Sequence, residues 1–279
     1  MRIIDMRLRP PYRTYLKNIV MYDEKMLEYN HTMRDYMPVS PSAVKKDMDI
    51  MIKEMDEANI VYGVAPVRTS SEGDNEDAIR IMNDYPNRFI GIPMVDPVKT
   101  DEAIEIVETF CVHGPCKSVI IEPAIYTTKD PWFTEDERLH PFYDYMQTKQ
   151  IPLLMTFGGR GSITEFYRPN HIDATCKLFP NLKICLEHGG WPFTQEILKA
   201  CADNKNLYLS PDVWGLSCSI GWEAYNNAIN YSLQDKMMFG SAFPGSPLKH
   251  AVHDYASRLR SAVLDKFFYT NAARFFGIE

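Results

Sequence analysis

The feature that most constrains the fold is an eightfold alternation of short apolar runs with longer amphipathic segments, with no linker between the units. The runs are rich in leucine or β-branched residues and are bounded by Pro, Gly, Asn or Asp, which is typical of buried parallel strands. The predicted strands cover residues 3–9, 60–67, 89–95, 118–122, 152–156, 183–187, 207–210 and 237–240. Eight such units predict an α/β protein, a closed (β/α)8 TIM barrel, which typically needs about 250 residues.

The segments between the runs predict helices. After the first run, apolar residues recur at steps of three and four and predict one apolar helix face, formed by Val44, Met48, Met51, Met55 and Ala58. Thr100 is the predicted N-cap of the helix after the third run, and Gly277 is placed to end the last helix. An open doubly wound sheet is the alternative fold, but no glycine-rich phosphate loop follows the first run.

One segment, residues 10–42, is too long for a simple connection between the first strand and its helix. It is rich in tyrosine and contains Tyr12, Tyr15, Tyr22, Tyr29 and Tyr36. A connection of this length is usually a lid or an interaction surface, and the sequence leaves both open. Because such a surface needs to be covered, we expect a homo-oligomer. We treat residues 1–279 as one barrel domain with this insertion.

Composition narrows the class of protein. The formal net charge of -7 and the lack of a basic stripe argue against nucleic-acid binding. No run of 18 apolar residues is present, so we expect no membrane span. Charged residues interrupt the first ten positions, where a signal peptide would be apolar. The six cysteines are scattered rather than spaced as a framework, which is typical of reduced thiols, so we expect a cytoplasmic protein.

Several short motifs stand at the ends of predicted barrel strands. They are Ile3-Ile4-Asp5 in the first, residues 182–192 with Glu187-His188-Gly189-Gly190-Trp191-Pro192 at the sixth, Gly240-Ser241-Ala242-Phe243-Pro244 at the eighth, and Asn271-Ala272 near the last helix. With these motifs in this order along its whole length, the chain resembles the amidohydrolase-related metal-dependent hydrolases. That family includes decarboxylases and lactonases of carboxylated substrates, so the resemblance implies an enzyme on the same barrel.

The chain departs from this family at the metal ligands. The family's first strand ends in His-x-His, and the matching positions are Arg7 and Arg9. Its ligand histidine after the fifth strand falls at Thr156, and its aspartate after the eighth falls at Ala242. Arginine has no lone pair to offer a cation and its charge repels one. We therefore expect no metal and no other cofactor.

Arg7 and Arg9 lie at the C-terminal end of a barrel strand, where this fold builds its active sites. Two guanidinium groups inside a barrel are costly unless anions pair with them. One interpretation is that they bind a substrate carboxylate or phosphate, for which the guanidinium fork is suited. The other is that Glu122, Glu187 or Asp212 neutralises them within the protein.

Other residues are predicted to line the same mouth. His188 matches a position that, in the decarboxylase branch of the family, resembles a catalytic acid or base. Arg68 and Arg160 would add positive charge and bind substrate. Thr156 and Trp191 are further predicted substrate-binding residues at the ends of the fifth and sixth strands.

The leading hypothesis is a metal-independent enzyme that hydrolyses, decarboxylates or isomerises a small carboxylated substrate, either aromatic or a lactone. In it, His188 moves the proton, and Asp212 or Glu122 orients it or acts as a second base. The alternative is a catalytically inactive barrel that binds or senses a small anionic ligand. A third possibility keeps a metal on His188, Glu122 and Asp212.

Overall fold

Parallel strands form the centre of the molecule. The computed structural model describes residues 1–17, 22–33, 37, 39–124, 130–159 and 163–278, with backbone only for 30–33. Within these residues the strands are β1 Ile3–Asp5, β2 Ile60–Pro66, β3 Phe89–Ile92, β4 Val119–Ile121, β5 Leu153–Thr156, β6 Ile184–Glu187 and β7 Leu207–Ser210. They pair in chain order as β1–β2–β3 and β4–β5–β6–β7.

Single bridges join the two sheets into the predicted TIM barrel. Met94 bridges to Ile120 between β3 and β4. At the eighth position, residues 237–243 form no ladder, so the expected regular strand at 237–240 is wrong. The segment still closes the barrel, because the Met238 amide donates to Leu209 O at 2.9 Å and the Met6 amide donates to Phe239 O at 2.9 Å.

Helices surround the strands. They are α1 Glu24–Met33, α2 Pro41–Lys45, α3 Met48–Glu57, α4 Glu76–Asp84, α5 Thr100–Val107, α6 His140–Thr148, α7 Pro169–Leu178, α8 Thr194–Asp203, α9 Trp222–Asn227, α10 Leu248–Arg258, α11 Ser261–Asp265 and α12 Asn271–Phe276. Short 3-10 turns occur at Arg13–Lys17, Thr69–Ser71, Glu137–Leu139, Thr164–Tyr167, His188–Gly190 and Asp212–Gly215. None of the described helices is both long and apolar enough to span a membrane.

The helix predictions hold with corrections at the termini. The apolar face after β1 begins at Met48 in α3, because Val44 lies in the separate helix α2 and is 60% exposed. Thr100 is the first residue of α5 rather than its cap, which is Lys99. Gly277 ends α12 in the left-handed conformation, as predicted.

Three tyrosines of the insertion pack onto this chain's own barrel, whereas Tyr29 is 42% exposed. Tyr12, Tyr15 and Tyr22 are each at most 7% exposed. The Tyr15 hydroxyl donates to Ala65 O at 3.0 Å, and the Tyr22 hydroxyl donates to Arg9 O at 2.5 Å. These three rings need no second subunit to cover them, so they no longer argue for the homo-oligomer, which stays a prediction. Tyr36 lies outside the described residues.

Asn271 holds the irregular eighth segment in place, and this gives a stability prediction. Its buried amide donates to Gln234 O at 2.7 Å and to Met237 O at 2.8 Å. We expect Asn271→Ala to lower the free energy of unfolding by about 2 kcal/mol, because two carbonyls lose their donor. Urea denaturation measures this, with Asn181→Ala at an exposed position as the control. Equal losses in both variants would contradict the role of Asn271.

Candidate active site

Polar side chains collect at the C-terminal ends of the barrel strands, as the sequence predicts. They are buried despite their charge or polarity, with exposed fractions of 6% or less: Arg7, Arg9, Glu122, Thr156, Glu187 and Asp212. A buried charge is costly unless it is paired, so the pairing among these groups decides what the site can bind.

Arg7 is neutralised by the protein. Its Nη1 pairs with Glu187 Oε2, and its Nε lies 3.6 Å from Asp212 Oδ2. Burial lowers the pKa of Arg7 to about 10, an effect that Asp212 partly offsets. The guanidinium is still charged at neutral pH, because this pKa is well above 7. For Arg7, therefore, the structure supports internal neutralisation rather than a free anion site.

Arg68 and Glu122 form a second pair, at the ends of β2 and β4. Arg68 Nη2 donates to Glu122 Oε1. Burial opposes ionisation of Glu122, but Arg68 and Arg9 hold its pKa below the ordinary value. The Thr156 hydroxyl lies 3.1 Å from Glu122 Oε1 and 3.4 Å from Glu187 Oε2, and so it links the two pairs into one network.

Arg9 differs from both of these arginines. Among the described residues, no carboxylate lies within ion-pair distance of its guanidinium, and its buried Nη2 has no hydrogen-bond partner. Burial lowers the pKa of Arg9 well below its ordinary value, and the nearby charges of Arg68 and Arg7 lower it further. Arg9 is therefore the guanidinium to which an incoming anion would bring the largest electrostatic gain.

His188 and Asp212 form a pair across the ends of β6 and β7. His188 Nδ1 lies 2.8 Å from Asp212 Oδ2, and the same oxygen accepts from the His188 backbone amide at 3.1 Å. The carboxylate also accepts from the Val213 amide at 2.5 Å, and the Tyr255 hydroxyl donates to Asp212 O at 2.7 Å. This proximity favours the tautomer in which Nδ1 carries the proton.

The other ring nitrogen of His188 is the one available for chemistry. In the described part of the chain, no hydrogen-bond partner is found for Nε2. Burial and the charge of Arg7 lower the pKa of His188, against the opposing effect of Asp212, so the ring is neutral at pH 7. Gly159 lies against the ring, since a Cβ there would be 2.9 Å from His188 Cδ2. A neutral imidazole held in this way can act as a general base.

Asp5 is a member of the site that the sequence reasoning did not single out. It is fully buried, and its Oδ1 accepts from the backbone amides of Arg7 at 3.0 Å and Ser241 at 2.9 Å. Burial raises the pKa of Asp5 to about 7, against these hydrogen bonds. The period-two spacing with Arg7 and Arg9 was the signal that could have identified it.

Trp191 is not part of this network. Trp191 stacks on Trp214 with ring centroids 4.0 Å apart, and its Nε1 donates to Ile220 O at 3.2 Å. Trp191 follows β6 and so lies at the mouth of the barrel. Among the described residues, its ring makes no hydrogen bond to the charged groups. Arg160 lies outside the described residues.

The residues present do not fit the divalent metal that the family implies. Within the described ranges, no group of three or more His, Cys, Asp or Glu side chains converges on one point. The possibility of a metal on His188, Glu122 and Asp212 is therefore contradicted. Glu122 is paired with Arg68, and Asp212 is paired with His188 and lies near the Arg7 guanidinium. The positive charges of Arg68 and Arg7 would repel a metal cation at this place.

Comparison with known proteins places the chain in a family. The family model described as Amidohydrolase matches residues 5–278. A solved structure of an uncharacterized TIM-barrel protein from Bordetella bronchiseptica has a TM-score of 0.91 and 29% identity, covering 99% of each chain. The 2,6-dihydroxybenzoate decarboxylase from Rhizobium has a TM-score of 0.72 and 14% identity over 99% of each chain.

A third structure, 5-carboxyvanillate decarboxylase from Sphingomonas paucimobilis, has a TM-score of 0.65 and 17% identity over 100% of this chain and 99% of the other. At 14 and 17% identity, the two decarboxylases are evidence for the shared fold alone. No curated protein matches the chain in sequence.

The different pairing of Arg7 and Arg9 predicts that their replacement changes stability by very different amounts. We expect Arg7→Met to lower the free energy of unfolding by about 3 kcal/mol or more, because Glu187 and Asp212 are left buried without their cation. Arg9→Met should change it by less than about 1 kcal/mol, because it removes an unpaired, repelled charge. Urea denaturation measures both, with Arg274→Met at an exposed position as the control. If Arg9→Met costs as much as Arg7→Met, Arg9 has a structural role.

Proposed function

The chain belongs to the amidohydrolase family, and from that premise we propose that it is an enzyme that acts, without a metal, on a small carboxylated molecule. The observation that carries the proposal is that one barrel mouth holds both an unpaired, buried guanidinium and a neutral histidine next to a carboxylate. Arg9 binds the substrate's carboxylate, and His188 with Asp212 moves a proton.

Arg9 rather than Arg7 is the anion ligand in this proposal. A carboxylate can accept two parallel hydrogen bonds from a guanidinium fork, which fixes its orientation as well as its position. Arg7, by contrast, is already paired with Glu187 and Asp212. The fold neighbours support a carboxylated substrate, because two of them are decarboxylases of aromatic acids.

The protonation state of His188 favours hydrolysis of an ester or lactone bond. In that reaction, Nε2 takes a proton from water as the water oxygen bonds to the carbonyl carbon. The carbon–oxygen bond to the leaving group then breaks, and the leaving oxygen takes the same proton from His188. Asp212 stabilises the imidazolium that exists between the two steps. Isomerisation through removal and return of a substrate proton would use the same base.

Decarboxylation is the second candidate, favoured by the fold neighbours. Here His188 must start as the imidazolium and protonate the substrate carbon, after which the bond to the carboxylate breaks and CO2 leaves with no charge. Because burial and Arg7 lower the pKa of His188, this form is scarce at neutral pH. The two reactions therefore have opposite pH dependence.

Binding of a small anion is the first test of the proposal. We expect Arg9→Met to weaken the affinity for benzoate by more than about tenfold, because a charge-assisted hydrogen-bonded pair is lost. Isothermal titration calorimetry measures the affinity, with Arg274→Met as the matched control. An unchanged affinity in Arg9→Met would remove Arg9 from the binding site.

Turnover on a panel of carboxylated lactones and aromatic acids is the second test. For hydrolysis, kcat should rise with pH through the pKa of His188, which lies below its ordinary value, and should level off by neutral pH. For decarboxylation, kcat should fall with rising pH over the same range. EDTA should leave either rate unchanged.

The His188→Asn variant assigns this pH dependence to one group. We expect kcat to fall by about 10²–10⁴-fold while the affinity for benzoate stays within about tenfold, as for loss of a general base. His253→Asn, at an exposed position on α10, is the control. If benzoate stabilises the protein and no product forms from any member of the panel, the protein is the inactive binder instead.

A further inference from the structure

Arg9 is enclosed as well as unpaired. Its exposed fraction is 3%, and the cavity beside it has a volume of about 10 Å³. Arg68, Thr14, Tyr15 and Ser71 share the lining of this cavity. That volume holds about one water molecule, whereas a carboxylate group has three heavy atoms. If Arg9 binds the substrate's carboxylate, as the proposed function requires, one wall of the cavity has to move.

The inner wall is firmly attached. The Thr14 hydroxyl donates to Asp77 Oδ2 at 2.6 Å, and the Thr14 backbone amide donates to the same oxygen at 3.0 Å. The Tyr15 hydroxyl donates to Ala65 O at 3.0 Å, and the Tyr12 hydroxyl donates to Asp84 Oδ2 at 2.6 Å. These contacts tie the turn Arg13–Lys17 to β2 and α4, so this side of the cavity does not open readily.

The outer wall is residues 69–73, which we name the access turn. Within it, the Glu72 amide donates to Thr69 O at 3.1 Å. The amides of Ser71 and Gly73 both donate to Arg68 O, at 3.0 and 2.9 Å, so the turn is anchored on Arg68 and can pivot there as a unit. Three of its side chains face solvent: Thr69, Ser70 and Glu72.

Arg68 anchors one end of the access turn, and Asp74, the residue after its other end, donates its backbone amide to Thr14 Oγ1 at 3.0 Å. Between these two ends, few polar side-chain contacts hold the turn against the rest of the described chain. The Ser70 hydroxyl donates to Glu122 Oε2 at 3.2 Å. Glu72 also approaches Lys17 at 3.9 Å, but both side chains are more than half exposed, so that ion pair contributes little. The hydrogen bond between Ser70 and Glu122 is the stronger attachment because its acceptor is a buried carboxylate.

We infer that the access turn is a gate over the Arg9 subsite, held shut by the hydroxyl of Ser70 on Glu122. When this hydrogen bond opens, the turn moves outward and a carboxylate reaches Arg9. While the carboxylate is bound, the turn stays displaced, and the hydrogen bond re-forms after the anion leaves. Ser70 is a positioning residue in this inference, since it acts through Glu122 and touches no reacting atom.

The rate at which phenylglyoxal modifies Arg9 measures access directly. The reagent attacks guanidinium groups, and peptide mass spectrometry follows each arginine separately. We expect Ser70→Ala to raise the modification rate of Arg9 about tenfold, because a hydrogen bond to a charged acceptor is lost. Gly73→Ala should raise it too, since the added Cβ would lie 2.6 Å from Arg68 O in the closed turn. Ser257→Ala, which removes an exposed hydroxyl on α10, should leave the rate unchanged.

Two other arginines serve as internal controls. Exposed Arg274 should react at the same rate in every variant, and Arg7, paired with Glu187, should remain unreactive. If Arg7 and Arg9 gain reactivity together, the variants open the whole barrel and the gate is wrong.

Benzoate separates this inference from the proposed function on which it rests. It should protect Arg9 from phenylglyoxal in the wild type and in Ser70→Ala. Protection with no acceleration in Ser70→Ala would overturn the gate and leave Arg9 as an anion ligand. Failure of benzoate to protect Arg9 in any variant would overturn both.

Discussion

The ion pairs of Arg7 are the interaction on which the rest of the site depends. Arg7 lies two residues after β1, and its guanidinium pairs with Glu187 at the end of β6 and lies near Asp212 after β7. Asp212 in turn sets the ring of His188. Arg7 stands at a position where the family resemblance implies a metal ligand. Its guanidinium therefore supplies a positive charge that connects the same strand ends, but it offers no open coordination site.

Because Arg7 and Arg68 take up the neighbouring carboxylates, Arg9 is left without an ion-pair partner among the described residues. In the parts of the chain that the structure describes, the mouth contains three guanidinium groups, and Glu187, Asp212 and Glu122 are already engaged with Arg7, His188 or Arg68. The remaining carboxylate, Asp5, accepts from backbone amides. Stability alone would favour replacing the third cation by an apolar side chain, since burial and its two like-charged neighbours both disfavour it. A buried charge kept at such a cost is a common property of functional sites, and the proposed function assigns Arg9 an anionic substrate as its partner.

The sequence predicted the barrel because the period of its apolar residues reports directly on buried strands. It could not predict the irregular eighth segment, which single hydrogen bonds and the Asn271 amide hold without a ladder. Period two placed Arg7 and Arg9 on one face, but it could not show which of them is paired. That outcome depends on where Glu187 and Asp212 lie in three dimensions. Likewise, the tyrosine-rich insertion indicated a lid or an interaction surface, but the pattern could not show that this chain's own barrel covers Tyr12, Tyr15 and Tyr22.

The backbone is fixed most strongly at three strand ends on one side of the mouth. His188, Asp212 and Ala242 end three successive barrel segments with positive φ angles of 65°, 43° and 54°. Non-glycine residues in this region cost on the order of 1 kcal/mol or more, and they persist only where several contacts fix them. The bonds from the His188 and Val213 amides and from Tyr255 do so for Asp212. The turn at residues 69–73 lacks such fixed positions and is held by its backbone bonds to Arg68 and by the Ser70–Glu122 hydrogen bond. The proposed function and the proposed gate therefore assign proton transfer to the fixed strand ends and substrate entry to this turn.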